Sequence, residues 1–113
     1  MINRVVVTGV GLVTPVGIGK EEFWQSLING RSGIGKISYF DTSGYPAKIA
    51  AEVKDFDYGN YISTKEANRM DKSTQFSVVA TMLAIEDSKL KLTEEDPYSI
   101  GVIIGSGIGG IGT

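Results

Sequence analysis

Close to its C-terminal end the chain reads IGVIIGSGIGGIGT, residues 100–113. Within it Gly105, Gly107 and Gly110 match the spacing G-x-G-x-x-G. After a strand, that spacing can hold a pyrophosphate, because backbone N–H groups and a helix N-terminus converge on the phosphate charge. Here Gly109, Gly110 and Gly112 oppose an immediate helix start, each at a cost of about 1 kcal/mol relative to Ala. Ile108 and Ile111 also bring apolar bulk to a place where a phosphate needs donors. Glycines set among isoleucines suit a backbone that runs close to something apolar, or a plain turn. The residues by themselves place the turn first, the apolar-ligand wall second and the nucleotide cradle last.

A second glycine run, Gly9-Val10-Gly11-Leu12-Val13-Thr14, follows an apolar stretch. Its third position is Thr14, and Pro15 and Gly17 delay any helix to about residue 20. No acidic residue ends a second strand where a ribose partner is expected. The glycines therefore read as a tight strand-to-loop turn that allows close packing.

Few groups could perform catalysis. The chain contains no cysteine and no histidine. A thiolate nucleophile, a disulfide and an imidazole base or ligand are thereby excluded from these residues. Ser106 sits in the glycine loop, but a serine hydroxyl without a base is a poor nucleophile at neutral pH. Glu21 and Glu22 suit a first helical turn, where the helix dipole favours anions. Glu94, Glu95 and Asp96 precede Pro97 and read as a solvated loop. No pair of carboxylates is spaced for acid–base work. The expectation is no catalytic residue, no metal site and no cofactor within the chain.

The elements that must position the glycine loops follow from periodicity. Residues 4–7 (RVVV) and 100–104 (IGVII) are short, β-branched and apolar on both faces, which predicts two buried strands. Residues 20–29 predict a helix with Phe23, Leu27 and Ile28 on one stripe, Trp24 beside it, and Gly30 placed to end it in the left-handed conformation. Residues 31–61 are irregular, with a short strand candidate at 48–53. Ser63-Thr64-Lys65-Glu66 fits a capping box. Asp71 can cap a second start, and residues 73–88 predict the strongest helix. Phe76, Val79, Ala80 and Leu83 form one of its faces; Val78, Met82 and Ile85 form the next. A third face carries Ser77, Thr81 and Ala84, small enough for close approach of another helix. Most sides of this helix should be buried. Lys89 stands where a glycine would end it more cheaply.

Strand, helix, irregular excursion, long helix, strand is the opening of an α/β layered fold with a largely parallel sheet. The 113 residues allow one domain, and 42% apolar with 21% charged residues marks a globular sequence. Net charge is −2. No long basic run suggests nucleic acid, and no apolar stretch is long enough for a membrane span. The N-terminus lacks signal-peptide features, so a cytoplasmic protein is expected.

Five segments carry a resemblance: RVVVTGVGLVTPVG (4–17), NGRSGI (29–34), FDTSGYPAKIAAEVKDFD (40–57), STKEANRMDKSTQF (63–76) and IGVIIGSGIGG (100–110). In order and spacing they resemble the N-terminal part of the β-ketoacyl-acyl-carrier-protein synthase II family, over essentially the whole chain. The resemblance implies an α/β chain forming an incomplete N-terminal half of the thiolase-like α/β/α/β/α layered fold. Residues 1–113 would be a partial N-terminal β-ketoacyl synthase domain, about the first quarter of one subunit of a homodimer.

The family elongates fatty acids by decarboxylative condensation of an acyl group, held on a cysteine, with malonyl carrier protein; histidines and a lysine support the chemistry. None of the matching catalytic positions lies in residues 1–113, so the chain alone is expected to be inactive. By the same resemblance Ile108 contacts the fatty-acyl chain, with Gly107 and Gly109 beside it on the wall of the channel. Lys65 and Arg69 match residues that dock the acidic acyl carrier protein. Asn68 stands where relatives often carry another cation, and Lys72, one helical turn from Arg69, could compensate. Steering by surface cations raises the encounter rate with an anionic partner even when net charge is negative. The alternative is a non-catalytic fragment or assembly module that complements a separate C-terminal chain. Alone, strands with unpaired edges should leave the chain aggregated or partly unfolded.

Overall fold

The computed structural model describes residues 2–112. The chain divides into two compact units: Leu12–Asp57, and the stretch up to Gly11 together with the stretch from Tyr58 onward.

In the unit Leu12–Asp57, the loop after the first glycine run contains a small hairpin that periodicity does not reveal. Strand β1 (Val13–Thr14) pairs antiparallel with β2 (Gly17–Ile18), Thr14 opposite Gly17. Thr14 Oγ1 donates to the Gly17 carbonyl at 2.8 Å, closing the turn from within. Helix α1 (Lys20–Ile28) follows. Its N-cap is Gly19, which has no side chain to offer, and the Glu22 carboxylate instead accepts from the Ile18 N–H at 2.9 Å. Its far end is a Schellman motif. Gly30 takes φ 64°, its N–H donates to the Leu27 carbonyl, and the Arg31 N–H donates to the Ser26 carbonyl. The expected left-handed glycine is in place. The expected apolar stripe is only partly covered: Phe23 is half-buried, Leu27 and Ile28 are exposed with Trp24 beside them, and Ser26 is the buried residue of the helix.

Strands β3 (Ile34–Lys36) and β4 (Ile49–Ala51) form a second antiparallel pair, with Gly35 opposite Ala50. β4 falls inside the strand candidate at 48–53, whereas β3 lies in the stretch read as irregular. The connecting loop is held by side chains. Glu52 accepts from the Ser38 hydroxyl at 2.7 Å and from the Ser38 and Tyr39 N–H groups, and Ser38 ahead of the others holds its carboxyl below the ordinary range. Lys48 Nζ donates to the Thr42 and Ser43 carbonyls.

In the other unit, the capping box forms as its residues dictate. Ser63 Oγ accepts from the Glu66 N–H, and the Glu66 carboxylate accepts from the Ser63 N–H and hydroxyl. A short helix, α2 (Thr64–Ala67), results. Helix α3 (Lys72–Ser88) is capped by Asp71 and ended by Lys89 in the left-handed region at φ 57°. The core beneath these helices is small: Ile62, Ala67 and Val79, the last only 1% exposed. Gln75, 7% exposed, binds the corner between α2 and α3, its Nε2 donating to the Ala67 carbonyl at 3.0 Å and to that of Met70 at 3.4 Å. Most of α3 is half-buried rather than enclosed, contrary to the expectation from its apolar faces.

The two apolar runs expected as buried strands belong to no ladder among the described residues. Val5 is 90% exposed and Ile103 98% exposed. A strand exists only through the N–H and C=O groups of a neighbour, and no described segment pairs with either run. The ladders among the described residues are the two antiparallel pairs, not a parallel sheet.

Candidate functional site

The closing glycine loop belongs to the unit that carries α3. Residues 100–106 form neither helix nor strand, and a bend at 107–108 follows. Ser106 Oγ accepts from the Gly109 N–H at 2.8 Å, which ties the bend across its base. Gly109 has φ 73°, a conformation that favours glycine. Gly107, Ile108 and Gly109 therefore sit together on one projecting bend, with the Ile108 side chain 75% exposed. No helix follows the bend among the described residues, so the strand–loop–helix order of a nucleotide cradle is not formed there. The nucleotide reading accordingly has no geometric support.

Beside the loop lies a groove of about 600 Å³ between α3 and the segment that carries Val102, Ile104, Gly105 and Ser106. Phe76, Val78 and Met82 face Val102 and Ile104 across it, with Ser77 and Thr81 between. Ser77 Oγ donates to the Ser73 carbonyl at 2.9 Å, and Thr81 Oγ1 to the Ser77 carbonyl at 2.7 Å. Both hydroxyls are thus turned back onto the helix, and the groove stays apolar. Two residues of the small face read from the sequence line this groove. The third, Ala84, meets a different partner: β-carbons placed on Gly9 or Gly11 would fall on the α3 backbone at Ala84 or at Ala80 and Ala84. The first glycine run is thus a close-packing device, as its sequence suggests. Ile108 lies beyond the residues that line the groove.

Among the described residues, the hydrogen bond of the Ser106 side chain is to a backbone N–H and not to a base. Its hydroxyl oxygen is engaged by Gly109, and the described residues hold no group of acidic or sulfur- or imidazole-bearing side chains fit for a metal ion.

The cationic residues stand apart from the groove lining. Lys65 is exposed on α2, and Arg69 is exposed in the turn between α2 and α3. Lys72 is the first residue of α3. The helical spacing expected between Arg69 and Lys72 does not arise, because Asp71 breaks the path with an extended N-cap conformation, φ −72° and ψ 169°. Asp71 Oδ1 accepts from the Thr74 N–H at 2.7 Å and the Ser73 hydroxyl at 2.8 Å. These bonds, the Thr74 N–H foremost, hold its carboxyl below the ordinary range. Glu66 is lowered likewise, first by the Ser63 hydroxyl. Tyr61 donates to Glu86 at 3.3 Å; burial and the adjacent carboxylate push its phenol up.

Sequence reasoning missed one contact. A β-carbon on Gly110 would overlap the Asp71 carboxylate, so the glycine loop rests on the cap of α3. Only the glycine itself hints at it, since no periodic pattern links residues so far apart in sequence.

The chain is similar to several known proteins. The chain is 48% identical over 109 residues to a 3-oxoacyl-[acyl-carrier-protein] synthase 2 of Synechocystis, covering 96% of this chain and 26% of that protein. It is 46% identical over 109 residues to the protein of that name from Vibrio harveyi, with the same coverage of 96% and 26%. The Staphylococcus aureus counterpart is 43% identical over 111 residues, 98% of this chain and 27% of that protein. The chain thus spans about a quarter of the length of these relatives. Among solved structures, the ishigamide ketosynthase/chain length factor superposes with a TM-score of 0.71 at 36% identity, covering 79% of this chain and 22% of that one. A type II polyketide ketosynthase in complex with its acyl-carrier protein gives 0.62 at 33% identity, covering 82% and 21%. These likenesses give the thiolase-like α/β fold of the ketosynthases, of which the chain carries an N-terminal portion. The family description "Beta-ketoacyl synthase, N-terminal domain" matches residues 2–113, and the chain belongs to that family.

Proposed function

We propose that the chain is the N-terminal portion of a condensing enzyme that extends fatty-acyl groups by decarboxylative condensation of acyl and malonyl carrier proteins. The observation that carries this reading is the likeness to 3-oxoacyl-[acyl-carrier-protein] synthase 2 along nearly the whole chain. The geometry supports it at one place. Ile108 projects from a bend flanked by Gly107 and Gly109, so a large apolar side chain is presented on a backbone with no bulk beside it. Ile108 forms one wall of the acyl channel, and the glycines let the acyl chain pass close to the backbone.

Lys65 and Arg69 form part of the surface that receives the acyl carrier protein. One solved relative is a ketosynthase bound to such a carrier, which supports this partner class. The thiol and imidazole groups of the reaction come from polypeptide outside these residues, which contain neither. That polypeptide covers the exposed runs around Val5 and Ile103 and completes the sheet, and the assembled enzyme is a homodimer. Residues 1–113 alone are inactive.

Replacing Ile108 tests the channel wall. In the complete enzyme, Ile108→Trp should depress turnover of long acyl substrates by about tenfold or more, while short ones are extended nearly as before. An unchanged chain-length profile would remove Ile108 from the channel.

A further inference from the structure

The loop that carries Ile108 and the segment that carries Lys65 and Arg69 meet at one residue. Asp71 ends the turn after α2 and begins α3. Its carboxylate is held in one orientation by Thr74 and Ser73. Across from it, Gly110 approaches so closely that an added β-carbon would overlap Oδ2 and come within 2.7 Å of Asp71 Cβ. Gly110 is half-buried, whereas Gly107, Ile108, Gly109 and Ile111 around it are exposed. Gly110 is thus a point at which the loop meets the body of its unit, and Asp71 is a residue it meets there.

We propose that Asp71 is the positioning residue of the bend at 107–109: its carboxylate is the seat on which Gly110 rests, and this seat fixes the acyl-facing bend relative to residues 65–69. The proposal rests on the functional reading above for what the bend and the cationic segment do. Its physical basis is reach. Gly110 is two residues from Ile108 and Arg69 two residues from Asp71, so a shift at the seat carries directly to both. Small displacements of a substrate-positioning group lower rates strongly. Asp71 touches neither the acyl group nor the reacting atoms; it acts through Gly110.

A double-mutant cycle in the complete enzyme tests the seat. Gly110→Ala inserts the clashing β-carbon. Asp71→Gly removes the carboxylate and the β-carbon of the seat together, and glycine is a tolerated N-cap. Gly110→Ala should lower kcat/KM for long acyl substrates by at least about tenfold and alter the chain-length profile. It should also speed amide hydrogen exchange at residues 107–111. Asp71→Gly alone, by removing the seat, should also shift the chain-length profile and speed exchange at residues 107–111, and the double variant should be no worse than the worse single variant, because the added methyl no longer has a seat to strike. Losses that add in the double variant, or either single variant identical to the parent in both readouts, overturn the proposal. Should the parent enzyme not condense acyl and malonyl carrier proteins, the functional reading fails separately, and non-additivity of the exchange rates alone then decides the seat.

Discussion

The Val10 N–H donates to the Asp87 carboxylate at 3.0 Å, and the residues on either side of Val10 are glycines whose α-carbons lie against the backbone of α3. The three residues work together. A side chain at position 9 or 11 would lift the segment off the helix and break the bond between Val10 and Asp87. The glycine run that resembles a nucleotide loop is therefore explained by packing.

Gly11→Ala should destabilise the protein by about 2 kcal/mol, in the range for overpacking a tight contact. Backbone atoms cannot move aside as a flexible side chain can. Gly44→Ala is the matched control, because nothing lies within 4 Å of its added β-carbon and it stands outside the two uncovered apolar runs. Thermal or denaturant unfolding should separate the two variants clearly, and equal stabilities would mean that residues 9–11 do not pack on α3.

Acid should weaken the helix starts. Glu66 and Asp71 both titrate below their ordinary values of 4.5 and 3.8 when folded. A carboxyl lowered by folding contributes stability above its unfolded value, and loses it as pH falls through the folded one. Helicity should hold from neutral pH down to the ordinary carboxylate range and decline below it. Ser63→Ala removes the principal bond to Glu66, so the Glu66 titration followed by NMR should move upward toward the ordinary value. The same change should cost about 1 kcal/mol through the lost cap. A Glu66 titration unaltered by the change would mean that the capping box does not hold its carboxylate.

Charge reversal should separate docking from chemistry. In the complete enzyme, Lys65→Glu and Arg69→Glu should each raise the KM for acyl carrier protein by about tenfold with kcat little changed, and the loss should shrink as salt increases. A pantetheine-linked acyl substrate without the carrier should be used as by the parent. An equal loss on both substrates would mean that these residues act on folding or chemistry rather than on docking.

The helices were legible in the sequence because their determinants are local. Ser63 and Glu66 are separated by one helical turn, Asp71 precedes Thr74 by the same interval, and Gly30 follows the last turn of α1. Each of these groups can find its partner without the rest of the fold. The strands were not legible in the same sense. Residues 4–7 and 100–104 have strand composition, but their partners are not among the described residues, and composition cannot supply a ladder. The β1–β2 hairpin escaped notice because strands this short carry no alternating pattern. At the candidate site, Ile108 and its glycines were found through family resemblance. The groove beside them and the seat at Asp71 depend on contacts between distant parts of the chain, which periodicity does not encode.

The central claim is that these residues shape a channel and a docking surface but hold no acyl acceptor. Intact-mass spectrometry of the 113-residue chain after incubation with acyl carrier protein substrate tests it most directly. The account predicts an unmodified mass, since thiol and imidazole are lacking and the Ser106 hydroxyl is tied to the Gly109 N–H. A stable added acyl mass, mapped to Ser106 or any other side chain, would contradict it.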